Sequence, residues 1–217
     1  MAKIIIVGGH GKVALLLAPL LTGRGDQVTS VFRNPDHRAD VEATGAQAVV
    51  ADVETLDTAQ LTDLLRGHDA VVWSAGAGGG SPSRTYGVDR DAAIRSIDAA
   101  EAAGVDRYVM VSYLGARTDH GVSSDDPFFA YAEAKAAADE HLRRSSLAYT
   151  ILGPGRLTLD EPTGRIDVVA APDGGDTSVS RADVAAVVAA VLRDDTTTGR
   201  TIPFRNGSTP IAEAIRG

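Results

Sequence analysis

The chain has 217 residues, a formal net charge of −8 at pH 7 and no cysteine. The lack of cysteine excludes a disulfide framework, a thiolate metal site and a cysteine nucleophile. An acidic balance without any block of Lys or Arg argues against partners such as nucleic acid or an anionic membrane. No apolar run reaches the roughly 18 residues that span a bilayer, and no secretory signal precedes the first strand pattern. We therefore expect a cytoplasmic protein with one domain over residues 1–217.

The first element combines a short β-branched run at residues 3–7 with a glycine-rich turn. A helical pattern follows, and its apolar face carries Val13, Leu16, Leu17, Leu20 and Leu21. Gly8, Gly11 and Ala14 occur at G-x-x-G-x-x-A spacing, where Gly8 permits a turn and Gly11 lets backbone N–H groups approach a pyrophosphate. The N-terminus of the helix also favours an anion. This stretch predicts a dinucleotide site, with a purely structural turn as the alternative.

A second strand pattern at residues 27–32 ends at Arg33. At this position an Asp or Glu binds the ribose 2′-hydroxyl of NAD, whereas an Arg accommodates the 2′-phosphate of NADP. Arg33 therefore predicts NADP(H) as the cofactor. The alternative is a surface arginine that ends the strand.

Further strand patterns alternate with helical patterns along the chain. The strands are expected at 47–51, 69–73, 106–111 and 148–152, and the helices at 55–65, 89–103 and 128–144. This alternation predicts an α/β fold of the Rossmann type, a doubly wound parallel sheet in three αβα layers. Right-handed crossovers would then bring the loops after the strands to one rim of the sheet.

Several candidate cofactor contacts follow from that arrangement. Asp52 and Val53 come after the third strand, so they are candidates for the edge and the face of an adenine. Asp52 is equally a candidate for the N-cap of the next helix. Ala75 and Gly76 follow the fourth strand, and their small size would let the backbone pass beneath the ribose and the pyrophosphate.

The remaining segments have weaker patterns. Residues 78–83 are rich in Gly and Ser and predict a mobile loop. Beyond residue 155 we expect a short strand at 166–170, a helix at 181–192, a strand at 200–204 and a helical turn at 211–215. Residues 155–217 are expected to complete a substrate pocket within the same fold.

Three residues form a candidate catalytic set. Tyr131 and Lys135 are four apart on a predicted helix and therefore share one face, and Ser112 ends the strand before that helix. A lysine beside a tyrosine lowers the pKa of the phenol and makes it a general acid, while a serine hydroxyl orients a substrate oxygen. The alternative is an exposed Tyr and Lys without a role. The histidines show no metal-ligand spacing, so no metal site is expected.

These motifs resemble those of the short-chain dehydrogenase/reductase superfamily. The matching stretches, in order, are Gly8–Ala14, Phe32–Pro35, Val111–Ala116, Tyr131-x-x-x-Lys135 and Gly153–Gly155. More narrowly, the chain resembles the atypical NAD(P)-binding group related to NmrA-like and biliverdin-reductase-B-like proteins. The resemblance implies a Rossmann fold, NADP(H) binding, and reduction of a small carbonyl-like or conjugated substrate by hydride transfer.

The resemblance also implies roles for individual residues. The residues that would bind the pyrophosphate are Gly8, His10, Gly11, Lys12 and Val13. On the adenosine side, Arg33 would bind the 2′-phosphate, and Asp52 and Val53 would contact the adenine. The ribose would lie on Ala75, Gly76 and Lys135, and the nicotinamide on Pro154 and Gly155. The catalytic set would be Ser112, Tyr131 and Lys135, with Asp89 at the place where the superfamily usually has Asn.

We therefore expect an NADPH-dependent oxidoreductase acting on a small carbonyl, quinone, flavin or similar acceptor. A non-catalytic NADP(H)-binding redox-sensing regulator is the main alternative. A nucleotide-sugar epimerase or dehydratase is less favoured, because the segment after Gly155 is short for a sugar-nucleotide lobe. The sequence leaves a monomer and a homodimer both open.

Overall fold

A mixed β-sheet of nine strands forms the centre of the computed structural model, which describes residues 1–79, 81–171 and 174–217. The strands in chain order are β1 (Lys3–Val7), β2 (Gln27–Phe32), β3 (Gln47–Val50), β4 (Ala70–Trp73), β5 (Arg107–Val111), β6 (Ala148–Pro154), β7 (Leu157–Thr158), β8 (Arg165–Val168), β9 (Val179–Ser180), β10 (Arg200–Asn206) and β11 (Thr209–Pro210). Strands β7 and β9 form a separate two-stranded parallel sheet beside it.

The helices cover both faces of this sheet. They are α1 (Lys12–Gly23), α2 (Arg38–Glu42), α3 (Thr58–Leu65), α4 (Pro82–Thr85), α5 (Ala93–Ala103), α6 (Phe129–Arg144), α7 (Arg181–Val191) and α8 (Ile211–Ala214). A π-helical segment, Tyr86–Ala92, joins α4 to α5, and short 3₁₀ turns occur at Pro35–His37 and Asp195–Thr197. Within the described ranges, no helix is long and apolar enough to cross a membrane.

The order of the strands is β11-β8-β10-β6-β5-β4-β1-β2-β3. All neighbours from β3 to β10 are parallel, and β1 lies between β2 and β4, so Ile4 pairs with both Val28 and Ala70. The expected doubly wound α/β fold is confirmed. The sheet is mostly parallel, and at one edge β8 runs antiparallel to β10 and β11 runs antiparallel to β8.

Two apolar layers hold the helices on the sheet, as the alternation of side chains along β1 requires. Ile4 and Ile6 belong to the layer that also includes α1 and α7, whereas Ile5 and Val7 belong to the layer that includes α3 and α5. All four side chains are buried, and full burial of such a side chain contributes about 2 kcal/mol. The first strand therefore anchors both layers and fixes the position of the turn that follows it.

The segment before α5 differs from the sequence-based expectation. A loop was expected through residue 83, but Ser81 caps α4, whose first residue is Pro82, and the chain continues helically from Pro82 to Ala103. Proline is favoured at the first helical position because the N–H that it lacks has no partner there. Gly80, within the expected loop, lies outside the described residues.

The last third of the chain extends the same sheet. The expected strands at 166–170 and 200–204 correspond to β8 and β10, and the expected helices correspond to α7 and α8. Arg156 and Val179 are linked by a backbone hydrogen bond that holds the small β7–β9 sheet near the end of β6. This segment therefore forms a wall beside the carboxyl ends of the parallel strands.

Candidate functional site

The turn after β1 requires two glycines for different steric reasons. Gly8 has φ of +89°, and a Cβ on Gly8 would lie 2.6 Å from the backbone nitrogen of Ala75. A Cβ on Gly9 would lie 2.6 Å from the Cβ of Ser30. The turn is therefore wedged between β2 and the segment after β4. The requirement at Gly9 was missed from the sequence, although the Gly8-Gly9 pair was a signal for it.

The N-terminus of α1 is open toward the cleft beside this turn. Gly11 is the N-cap residue in an extended conformation, no side chain caps the helix, and no acidic residue lies in its first turn. The backbone N–H groups of Lys12 and Val13 find no acceptor among the described residues, and both residues line the cleft. Unpaired N–H groups and the helix dipole favour an anion. The geometry therefore fits the pyrophosphate of a dinucleotide.

A cleft of about 300 Å³ lies between the ends of β1, β2 and β3. Residues of the expected adenosine and phosphate contacts line it, namely Gly8, His10, Gly11, Arg33, Asp52, Val53, Ala75 and Gly76. Arg33 is exposed at its mouth and makes no hydrogen bond or ion pair with any described residue. A guanidinium without a protein partner retains its donors for a ligand, and a phosphate is the anion that matches its geometry.

His10 belongs to a small cluster on the same side of the cleft. Its imidazole stacks on that of His37 with 3.6 Å between the ring centroids, and its Nε2 lies 3.0 Å from Oδ2 of Asp40. Both imidazoles line the cleft that Arg33 borders. The cluster therefore places polar nitrogens beside the position expected for the adenosine phosphate.

Asp52 lines the cleft but does not cap a helix. Its Oδ1 accepts a hydrogen bond from the backbone nitrogen of Glu54 at 3.1 Å. The N-cap of α3 is Asp57, which forms a reciprocal capping box with Gln60. The alternative role of Asp52 as N-cap is therefore wrong, and the helix begins at Thr58 because its capping residues lie further along the chain.

A second cleft, of about 630 Å³, continues from the α1 N-terminus toward the ends of β5 and β6. It brings together Gly11, Lys12, Val13, Ala75, Gly76, Asp89, Ser112, Tyr131 and Lys135. The expected pyrophosphate loop and the expected catalytic set thus share one continuous space. The parallel strands produce this arrangement, because all of these residues follow or face their carboxyl ends.

Asp89 is buried in the π-helical segment and supports the strand-end backbone. Its Oδ2 accepts a hydrogen bond from the backbone nitrogen of Ala77 at 2.9 Å. A Cβ on Gly76 would lie 3.1 Å from Asp89 Oδ1, so this close approach favours glycine there. Burial raises the pKa of Asp89, and the nearby charge of Lys135 acts in the opposite direction. Asp89 therefore holds the segment proposed to lie under the ribose.

Lys135 and Tyr131 face the cleft from α6, but they do not interact as the sequence predicts. Lys135 is 1% exposed and donates through Nζ to the carbonyl oxygen of Val111 at 2.9 Å. Burial, followed by the charges of Asp89 and Asp139, raises the pKa of Tyr131 well above its ordinary value. The expectation that Lys135 lowers this pKa is therefore wrong here. The phenol stays protonated and can act as a hydrogen-bond and proton donor.

Ser112 is paired with a carboxyl group that was not predicted from the sequence. Its Oγ donates a hydrogen bond to Oδ2 of Asp139 at 2.6 Å. Asp139 is completely buried, and burial raises its pKa to about 6, against the opposing effects of Lys135, Ser112 and Arg143. Asp139 lies four residues after Lys135 and eight after Tyr131. This continuation of one helical face was the available signal for it.

Aromatic rings border a third cavity, of about 350 Å³, beyond Tyr131. The rings of Tyr113, Phe128 and Tyr131 contact one another with centroid distances of 5.2 to 5.4 Å. Pro154 and Gly155 also line this cavity, and a Cβ on Gly155 would overlap the carbonyl oxygen of Thr177. The residues expected at the nicotinamide end therefore meet an apolar, ring-lined space.

Metal ligation has no support in the described parts of the chain. These residues contain no group of three or more His, Cys, Asp or Glu side chains that could hold a metal ion.

A glycine-wedged turn, an open helix N-terminus and a strand-end cleft define a dinucleotide-binding Rossmann protein. The model of the family described as NAD(P)H-binding matches residues 8–195. The chain belongs to this family, and its resemblance to the atypical short-chain dehydrogenase/reductase group is confirmed.

Three relatives illustrate the similarity. The chain is 35% identical over 216 residues to the "Uncharacterized sugar epimerase YhfK" of Bacillus subtilis, and the alignment covers 99% of each. A structure described as "Putative NAD-dependent epimerase/dehydratase from Bacillus halodurans" has a TM-score of 0.90, 34% identity and 99% coverage of both chains. The oxidoreductase ylbE from Lactococcus lactis has a TM-score of 0.84 and 32% identity, with 98% of this chain and 94% of that chain covered.

These relatives set the class of chemistry. The family is one of NAD(P)-binding proteins of oxidoreductase and epimerase type, and its cofactor is a nicotinamide dinucleotide.

Proposed function

We propose that this protein is an NADPH-dependent oxidoreductase that reduces a small carbonyl, quinone, flavin or similar acceptor. One observation carries the proposal: the cleft that starts at the open N-terminus of α1 ends at Tyr131 and Ser112. A cofactor held by its pyrophosphate at one end would therefore place its reactive ring near two hydroxyl groups. Protonation of a substrate oxygen is the step that such hydroxyls perform in a reduction.

The chain has distinct groups for each part of the cofactor. The turn at Gly8 and the N–H groups of Lys12 and Val13 would hold the pyrophosphate, and the backbone of Ala75 and Gly76 would lie under the ribose. When bound, the reduced nicotinamide supplies a hydride. The protein supplies the position and the proton.

The preference for NADPH over NADH rests on Arg33. It borders the adenosine cleft at the end of β2, where a carboxylate would instead bind the 2′-hydroxyl of NADH. The side chain is exposed and has no partner within the described chain, so its donors are available to a 2′-phosphate. The imidazoles of His10 and His37 add donors on the same side.

The proton donor nearest the acceptor would be Tyr131. Its raised pKa keeps the hydroxyl protonated across the physiological range, so it can donate a hydrogen bond to a developing alkoxide. The rings of Tyr113 and Phe128 beside it favour an acceptor with a flat apolar part and exclude water from the reacting atoms. Pro154 and Gly155 line the same cavity.

Two measurements test the proposal. Titration calorimetry with NADPH and NADH measures cofactor binding, and NADPH oxidation is then followed against a panel of carbonyls, quinones and flavins. Tight binding together with oxidation by a member of the panel supports an oxidoreductase. Tight binding without any turnover would favour the regulatory alternative, and the absence of binding to either dinucleotide would overturn both.

The epimerase alternative is favoured by the names of two relatives, YhfK and the Bacillus halodurans structure. An epimerase returns its hydride to the substrate, so it converts a nucleotide sugar without net consumption of cofactor. Incubation with nucleotide sugars and catalytic NAD or NADP, analysed by chromatography, distinguishes the two functions. Conversion without accumulation of reduced cofactor would replace the proposed reductase by an epimerase.

A further inference from the structure

A completely buried carboxyl group lies directly behind the candidate active-site serine. Asp139, on α6, is 0% exposed, and its Oδ2 accepts the hydrogen bond from Ser112 Oγ at 2.6 Å. Its second oxygen, Oδ1, is buried without a hydrogen-bond partner in the described structure. Burying a carboxylate oxygen without a donor is costly, and the cost is smaller when the carboxyl is neutral. Within the described parts of the chain, Asp139 is therefore a buried acid whose one hydrogen bond is to the serine.

The charged and titratable surroundings of Asp139 come from three places. Lys135 and Arg143 lie on the same helix and favour the carboxylate, whereas burial opposes it and dominates. Burial and the charge of Asp139 both raise the pKa of Tyr113, which follows β5, and the pKa of Tyr131, on α6. Burial raises the pKa of Asp89 in the π-helical segment against the charge of Lys135, and the charge of Asp89 adds to the burial that raises the pKa of Tyr131. These groups leave Asp139 able to exist in either protonation state near neutral pH.

The protonation state of Asp139 decides what Ser112 can do. With Asp139 ionised, the Ser112 hydrogen points to Oδ2, so Ser112 can only accept a hydrogen bond from a ligand in the cleft. With Asp139 protonated, Oδ2–H can donate to Ser112 Oγ, and the serine hydrogen is released to point into the cleft. Only the second arrangement lets Ser112 donate to a carbonyl oxygen.

We propose that Asp139 is a positioning residue: its protonated carboxyl donates a hydrogen bond to Ser112 Oγ and so directs the Ser112 hydrogen toward the substrate oxygen, which Tyr131 protonates. The inference rests on the proposed reductase function. The reduction adds one hydride, from the dihydronicotinamide, at the carbonyl carbon and one proton at the oxygen. The proton comes from the Tyr131 hydroxyl, while Ser112 keeps its hydrogen and donates a hydrogen bond to the same oxygen. Tyr131 ends as a phenolate, uptake of a solvent proton restores it, and Asp139 keeps its proton throughout.

The first test needs neither cofactor nor substrate. Carboxyl carbons of isotope-labelled aspartates are followed by NMR as the pH is varied, and the Asp139 signal is assigned by its loss in Asp139→Asn. We expect it to titrate near pH 6, and Ser112→Ala should raise its midpoint, because that change removes the donor to the carboxylate. An ordinary aspartate midpoint, or no response to Ser112→Ala, would overturn the proposal.

The second test is the pH profile of NADPH oxidation with phenanthrenequinone or another acceptor identified in the panel. We expect kcat of the wild type to fall about tenfold as Asp139 ionises, and kcat of Asp139→Asn to stay near the acid-pH value of the wild type across that range, because an amide N–H donates to Ser112 Oγ at every pH, with KM little changed. Asp139→Glu should restore part of the pH dependence. Asp98→Asn is the control, because Asp98 pairs with His141 away from the cleft.

The two tests separate the inference from the proposed function. If the pKa of Asp139 is raised and responds to Ser112→Ala but the protein shows no turnover, the reductase function is refuted. The coupling between Asp139 and Ser112 is then still supported. Turnover with the same pH profile in wild type and Asp139→Asn would support the reductase and refute the role of Asp139.

Discussion

The backbone of Ala75 lies against Gly8 so closely that a Cβ on Gly8 would be 2.6 Å from the Ala75 nitrogen. This contact joins the turn after β1 to the segment after β4. Asp89 fixes the same segment through the hydrogen bond that its Oδ2 accepts from the Ala77 nitrogen. The floor of the proposed cofactor site is therefore made by backbone atoms that pack without intervening side chains.

Replacing Gly8 by Ala should damage both folding and cofactor binding. The new methyl group would overlap Ala75, and the φ of +89° is unfavourable for alanine, so we expect a loss of more than about 2 kcal/mol in the free energy of unfolding. Urea unfolding measures the loss. Gly23→Ala is the matched control, because Gly23 ends α1 with nothing within 4 Å of an added Cβ. Equal effects at both positions would contradict the steric account.

Replacing Arg33 by Ala should weaken NADPH binding and leave NADH binding nearly unchanged. Hydrogen bonds to a charged group contribute about 1.5–3 kcal/mol, which corresponds to an increase of roughly 10- to 100-fold in Kd for NADPH alone. Calorimetry with both cofactors measures the change. Arg38→Ala is the control, because Arg38 pairs with Glu42 and the carbonyl of Ala48. Unchanged NADPH affinity in Arg33→Ala would remove the predicted preference.

Replacing Tyr131 by Phe should lower kcat without unfolding the protein. The hydroxyl is the proposed proton donor, and loss of a general acid typically costs about 10²- to 10⁴-fold in rate. Steady-state kinetics with an accepted substrate measure the effect, with NADPH affinity checked in parallel. Tyr149→Phe, on β6 and outside the three clefts described here, serves as the control. A rate equal to that of the wild type would exclude Tyr131 from the chemistry.

Stability should depend on pH through Asp139. Its folded-state pKa of about 6 lies above the ordinary value of 3.8, so the folded state binds the proton more tightly than the unfolded state. The protein should therefore lose stability as the pH rises from about 4 to 6, by an amount on the order of 2–3 kcal/mol. Asp89, with a raised pKa, acts in the same direction.

Urea unfolding at several pH values tests this dependence. In Asp139→Asn, the free energy of unfolding should fall much less over this pH range, because an amide does not titrate. Asp98→Asn, at a half-exposed ion pair, should retain the wild-type dependence. An identical decline in Asp139→Asn and the wild type would show that Asp139 has an ordinary pKa in the folded protein.

Local patterns in the chain were sufficient to predict much of the fold. The β-branched runs, the glycine turn and the alternation with helices depend on neighbours within a few residues, so they are visible without coordinates. Once parallel strands are inferred, the common rim follows, and so does the meeting of Gly11, Ser112 and Tyr131 in one cleft. The π-helical segment and the antiparallel edge formed by β8 had no comparable local signal.

The protonation chemistry of the site was decided by tertiary packing. Ser112 and Asp139 are 27 residues apart, and the hydrogen bond between them exists because β5 and α6 pack together. The same packing directs Lys135 to the carbonyl of Val111 and raises the pKa of Tyr131, contrary to the expectation from helical spacing. Sequence alone determined which side chains reach the cleft, because periodicity fixes their direction. Only the folded structure determined their burial and partners, and these control where the protons reside.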